Sequence, residues 1–87
     1  MDEAGWSIDD ESMPSHDPVL KAFGDAVRTK RVSKKLTQEK LAERATLDPT
    51  YVSGIERGLR NPGIKNVARI AKALGISISE LCKGVDA

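Results

Sequence analysis

Aromatic side chains are scarce in this 87-residue chain, which has one Trp, one Tyr and one Phe. A core must therefore be assembled from Leu, Ile, Val and Ala, a palette that suits small packed helices. The single cysteine, Cys82, excludes an internal disulfide and reads as a small packing residue near the C-terminus. The single histidine, His16, lies far from Cys82 in sequence, and neither a metal-ligand spacing nor a Gly-rich phosphate motif is present. The expectation is that the chain is not an enzyme and uses no cofactor or metal. No apolar run approaches the ~20 residues needed to cross a bilayer. Met1-Asp2-Glu3-Ala4 also lacks the basic flank and apolar stretch of a signal peptide. A cytoplasmic protein with no membrane partner is expected.

The net charge of +1 hides a division. Residues 1–17 carry six acids and no Lys or Arg, while residues 18–87 carry all 14 basic residues against seven acids, a net of +7. The first segment has few aliphatics and is read as an acidic, disordered tail. Trp6 stands alone in it, either as part of an unanchored tail or as a hydrophobic anchor for a partner or for the body. The tail could also fold back over the basic body and compete with a polyanion.

Residues 18–87 read as one all-α domain of five helices. Asp17-Pro18 opens helix 1, where Leu20, Phe23 and Val27 recur at helical spacing to about Ser33. Thr37 caps helix 2, Gln38 to Ala45, with Leu41, Ala42 and Ala45 inward. Thr46-Leu47 make a turn, Asp48 caps helix 3 and Pro49 begins it, and Gly58 ends it in the left-handed conformation. Helix 4 buries Ile64, Val67, Ile70, Ala71 and Leu74 and stops at Gly75. Ser77 caps a short helix 5 through Leu81 and Cys82.

Helices 2 and 3 flanking a short turn have the layout of a helix-turn-helix, whose second helix lies in the major groove of duplex DNA. In helix 3, Val52 and Ile55 face inward. The outer side takes mainly Pro49, Thr50, Ser53, Gly54 and Arg57, with Tyr51 at its flank. Thr50 offers a hydroxyl to a base and a methyl to thymine, Ser53 a donor to base or phosphate, and Arg57 a cation to guanine or backbone. Tyr51 can stack on sugar or reach phosphate, and Gly54 would let the helix sit deep. Gln38 at the start of helix 2, Arg60 and Asn61 in the following loop, Lys65 and Asn66 at the start of helix 4, and Lys30, Lys34 and Lys35 around helix 1 are expected phosphate contacts. Arg31 and Glu56 are expected to form a structural ion pair joining helix 1 to helix 3. Leu74, Ile76, Ile78 and Leu81 exceed what one small core needs, so an isologous dimer interface is expected there.

These residues carry a resemblance. Leu36-Thr37-Gln38-Glu39-Lys40-Leu41-Ala42, Tyr51 to Gly58, Arg60-Asn61-Pro62, and Ile70 to Ile76 with Glu80-Leu81 resemble the Cro/phage-repressor (XRE-type) helix-turn-helix family over about residues 20–82. The run Leu47 to Arg57 followed by Arg60-Asn61 is especially similar to controller proteins of restriction–modification systems. The resemblance implies a lambda-repressor-like five-helix domain, a homodimer formed around helix 5 and a pseudo-palindromic DNA operator. Family base contacts map to Thr50, Tyr51, Ser53, Arg57 and the position of Pro49; backbone contacts map to Gln38, Arg60, Asn61 and Lys65. Pro49 departs from relatives with Arg or Gln there, because proline has no side-chain donor. The acidic extension is a second departure. The function expected is sequence-specific transcriptional regulation, with RNA polymerase as a further possible partner. The rival is an antitoxin-like module that uses the same fold to grip a toxin-like protein.

Overall fold

A computed structural model describes residues 17–86, which form α1 (Pro18–Ser33), α2 (Gln38–Ala45), α3 (Pro49–Glu56), α4 (Ile64–Leu74) and α5 (Ile78–Leu81), with no strand among the described residues. The readings of residues 1–16 as an acidic tail, with Trp6 and His16 in it, lie outside the described residues.

Four of the five helices start where a short polar side chain can satisfy the first free N–H groups, while α4 starts after Gly63 with no side-chain cap. Asp17 Oδ1 accepts from the N–H groups of Val19 (2.8 Å) and Leu20 (3.3 Å), with Pro18 supplying the fixed φ of the first position. Thr37 accepts from Lys40 N–H, Asp48 from Thr50 N–H and Ser77 from Glu80 N–H. Gly58 and Gly75 take positive φ after α3 and α4. At Gly58 the chain closes with Leu59 N–H donating to Gly54 O and Gly58 N–H to Ile55 O, which ties up the last carbonyls of α3.

The apolar stripes meet in one core: Phe23 and Val27 from α1, Leu41 and Ala42 from α2, Val52 and Ile55 from α3, Val67, Ile70, Ala71 and Leu74 from α4, and Leu81 from α5. Ile64, expected inside, is 68% exposed at the first position of α4. There its side chain projects before the helix has turned onto the core.

Two close features set the angle between α2 and α3 and the seat of α3. Thr46 caps α2 in the left-handed region, with φ 59° and ψ 47°. A β-branched residue reaches that region at a cost of about 1–2 kcal/mol. The turn is held because Leu47 N–H donates to Ala42 O at 2.9 Å and Leu47 packs against the core. Gly24 is buried in α1 against the backbone of α3, where a β-carbon would sit 2.8 Å from Glu56 O and closer still to Ile55 O. Only a residue without a side chain permits that crossing.

Candidate nucleic-acid interface

Burial divides α3 sharply. Val52, Gly54, Ile55 and Glu56 are buried, whereas Pro49, Thr50 and the capping Arg57 are exposed, and Tyr51 and Ser53 are half-buried. The exposed edge therefore presents Pro49, Thr50 and Arg57, with Ser53 behind them. It is bordered by exposed Arg60 and Asn61 of the α3–α4 loop and by exposed Lys65 in the first turn of α4. Hydroxyl, guanidinium and ammonium groups on one convex rod can donate to base edges and phosphate oxygens together.

Gly54 does not lie open to that edge. The Arg60 side chain folds back across it, so that a β-carbon on Gly54 would come within 2.8 Å of Arg60 Cγ. The reading of Gly54 as clearance for a groove is corrected: its missing side chain makes room for Arg60. The same fold-back carries the Arg60 guanidinium over the Tyr51 ring, 6.0 Å from its centroid. Asn66 Nδ2 donates to the Tyr51 hydroxyl at 3.3 Å. That bond leaves the phenol proton available to an outside acceptor while steering the ring.

Behind the edge lies a partly buried polar bolt centred on the buried Glu56. Arg31 Nε donates to Glu56 Oε2 at 2.7 Å, and Arg31 Nη2 donates to Glu56 Oε1 at 3.0 Å, a bidentate pairing between side chains 12% and 2% exposed. Gln38 Nε2 also donates to Glu56 Oε1, at 2.9 Å, and Arg31 Nη1 donates to Leu36 O at 2.8 Å. The hydrogen bond to Glu56 raises the Arg31 pKa above its ordinary value against the desolvation that opposes it. One carboxylate thereby joins α1, the start of α2 and the end of α3, and fixes the orientation of the exposed edge.

This geometry revises several expectations. The amide of Gln38 is committed to Glu56, so what Gln38 can offer a phosphate is its backbone N–H in the first turn of α2. Lys30 turns away to helix 5, where its Nζ lies 3.0 Å from Glu80 Oε2. The hydrogen bond and the charge of Lys30 hold the Glu80 carboxyl below its ordinary value. Lys34 and Lys35 remain exposed beside the α1–α2 loop. Of the four side chains assigned to a dimer face, Leu74 is 2% and Leu81 1% exposed, because the monomer core already uses them. Ile76 is half-buried and Ile78 is 38% exposed, so these two are left for an interface. Among the described residues no group of three or more His, Cys, Asp or Glu could hold a metal ion, and no helix is long and apolar enough to cross a membrane.

Comparison with known proteins gives a consistent picture. A helix-turn-helix family model matches residues 27–81. The control protein C.BamHI of Bacillus amyloliquefaciens is 48% identical over 60 residues, which cover 68% of this chain and 74% of that protein. The crystal structure of the restriction–modification controller protein C.AhdI from Aeromonas hydrophila superposes with a TM-score of 0.70 at 45% identity, covering 71% of this chain and 94% of that one. C.Esp1396I bound to a 25 base pair operator site superposes with a TM-score of 0.74 at 36% identity, covering 80% and 92%.

Proposed function

From the premise that the chain belongs to the helix-turn-helix family and is similar to restriction–modification controller proteins, we propose that it is a sequence-specific transcriptional regulator that binds an operator as a homodimer. The observation that carries this reading is the division of α3, whose buried side is bolted to α1 and α2 while Thr50 and Arg57 stand exposed along one edge. A relative of the same fold bound to an operator supports the choice of duplex DNA as partner.

In this reading α3 enters the major groove. Thr50 and Arg57 contact base edges, with Ser53 and the apolar ring of Pro49 close behind, since Pro49 can make only apolar contact. Tyr51, steered by Asn66, donates its phenol proton to a phosphate. Arg60, Asn61, Lys65, Lys35 and the Gln38 backbone N–H hold the sugar–phosphate frame, which sets register and carries no sequence information. Ile76 and Ile78 pack against their counterparts in a second copy, which spaces the two α3 edges for successive major grooves.

Selection of duplexes from a random pool, followed by footprinting, tests the proposal. The expected product is a pseudo-palindrome with half-site centres about 34–36 Å apart, one helical turn, or a multiple of it. Sedimentation of the free protein at micromolar concentration should show a dimer, and Ile78→Asp should shift it to monomer. Failure of the pool to enrich any site would overturn the regulator reading, and a concentration-independent monomer would overturn the dimer.

A further inference from the structure

We propose that the apolar groove between the start of α1, the α3–α4 loop and the segment after α5 is a docking site for the chain's own residues 1–16, with Trp6 as the side chain that fills it. The groove has a volume of about 290 Å³ and is lined by Val19, Phe23, Pro62, Ile64, Val67 and Val85 among others. Val19 is 46% and Ile64 68% exposed. Exposed apolar residues scattered singly need no explanation, but two that line one depression leave a place for an apolar side chain. None of Leu74, Ile76, Ile78 and Leu81 lines the groove, so it shares none of these residues with the dimer face proposed above.

The path and composition of the chain name the occupant. Asp17 caps α1, and Val19 in the first turn of α1 already lines the groove, so residues 1–16 join the body at its edge. Trp6 is the only tryptophan in the chain and the bulkiest apolar side chain of that segment. An aromatic ring of its kind buries roughly 150–250 Å² when seated. Thirteen residue steps separate Trp6 from Val19, a reach of at most roughly 43–47 Å, so the ring can reach the groove. Such a tether gives an effective concentration in the mM range, which fills a contact too weak to form between separate molecules.

Charge points the same way. Residues 1–16 contain Asp2, Glu3, Asp9, Asp10 and Glu11 and no Lys or Arg. Lys65 directly follows the lining residue Ile64, is exposed and enters no salt bridge among the described residues, whereas Lys83 lines a separate groove beside Glu80. With Trp6 seated, the short tether would bring Asp9, Asp10 and Glu11 within reach of Lys65. The docked segment would thereby weaken binding to random duplex, a consequence that rests on the reading of Lys65 as a phosphate contact, whereas the docking itself does not.

Because Trp6 is the sole tryptophan, fluorescence of the intact chain reports on this segment alone. Relative to a synthetic peptide of residues 1–16, the full chain should show blue-shifted emission and several-fold weaker acrylamide quenching, both unchanged by dilution. Ile64→Asp should return both to the peptide values while far-UV circular dichroism stays helical, since an acid at the first position of α4 suits the helix dipole. Val19→Ser should weaken the protection in the same direction. Trp6 quenched in the full chain as in the free peptide would overturn the proposal. So would protection that survives Ile64→Asp, which would place Trp6 elsewhere, or protection lost on dilution, which would assign the groove to a second copy.

Discussion

Arg31→Met is expected to destabilise the folded chain by about 3–5 kcal/mol, the usual cost of stripping one partner from a buried ion pair. The methionine keeps most of the apolar stem, so the loss comes from the guanidinium. Among the described residues Glu56, 2% exposed, would then keep only the hydrogen bond from the Gln38 amide, and Leu36 O would lose the Arg31 donor. For a domain of this size each kcal/mol lowers Tm by about 4–8 °C, so thermal unfolding at fixed protein concentration should show a fall well above 10 °C. Adding Glu56→Leu should restore part of the loss, because the buried charge is gone. The recovery should be incomplete, since the Gln38 amide and Leu36 O stay without their partners. A single-variant loss below about 1 kcal/mol, the range of exposed pairs, would show that the bolt does not hold the fold.

Gly24→Ala is expected to reverse the usual sign of that exchange. Within an open helix, alanine is better than glycine by about 1 kcal/mol. At residue 24 the new methyl would meet Glu56 O at 2.8 Å and Glu56 C at 2.9 Å, both backbone atoms of α3 that no rotamer change can clear. Overpacking of this kind costs typically 1–3 kcal/mol and more where the neighbour cannot give, so Tm should fall by about 10 °C or more. The strain falls on the backbone of the helix proposed to read DNA. Protein that remains folded should therefore bind its selected operator more weakly than the parent does. Unfolding curves and operator titrations of one preparation check both parts. An unchanged or raised Tm would show that α1 and α3 cross more loosely than the structure has it.

Local rules made most of the fold readable. Asp17-Pro18, Thr37, Asp48-Pro49, Gly58, Gly75 and Ser77 each act on the backbone within four residues, so helix boundaries follow from the sequence alone. Apolar periodicity identified Val52 and Ile55 as the inner side of α3 for the same reason. What stayed hidden depends on partners distant in sequence. A glycine at residue 24 is indistinguishable from a weak helix position until the α3 backbone is known to lie against it. Gln38 can donate equally to a phosphate or to Glu56, and only the meeting of α2 with α3 decides which. Lys30 finds Glu80 across 50 positions. Gly54 sits on the outer arc of an ideal helix, yet a loop residue folds back over it. Counting apolar residues showed an excess near α5, but packing decides that Leu74 and Leu81 go inside and leave Ile78 at the surface.

In the proposed function, the exposed edge of α3 is the part that distinguishes one duplex sequence from another. The direct measurement is the ratio of affinities for the selected operator and for scrambled duplex, in the parent and in Thr50→Ala combined with Arg57→Ala. Both side chains are exposed, so the double variant should unfold at nearly the parent temperature and still bind scrambled duplex through its phosphate contacts. Each lost base contact removes about 1–3 kcal/mol of discrimination, so the ratio should fall by roughly tenfold or more. A folded double variant that keeps the parent ratio would contradict base reading by the α3 edge.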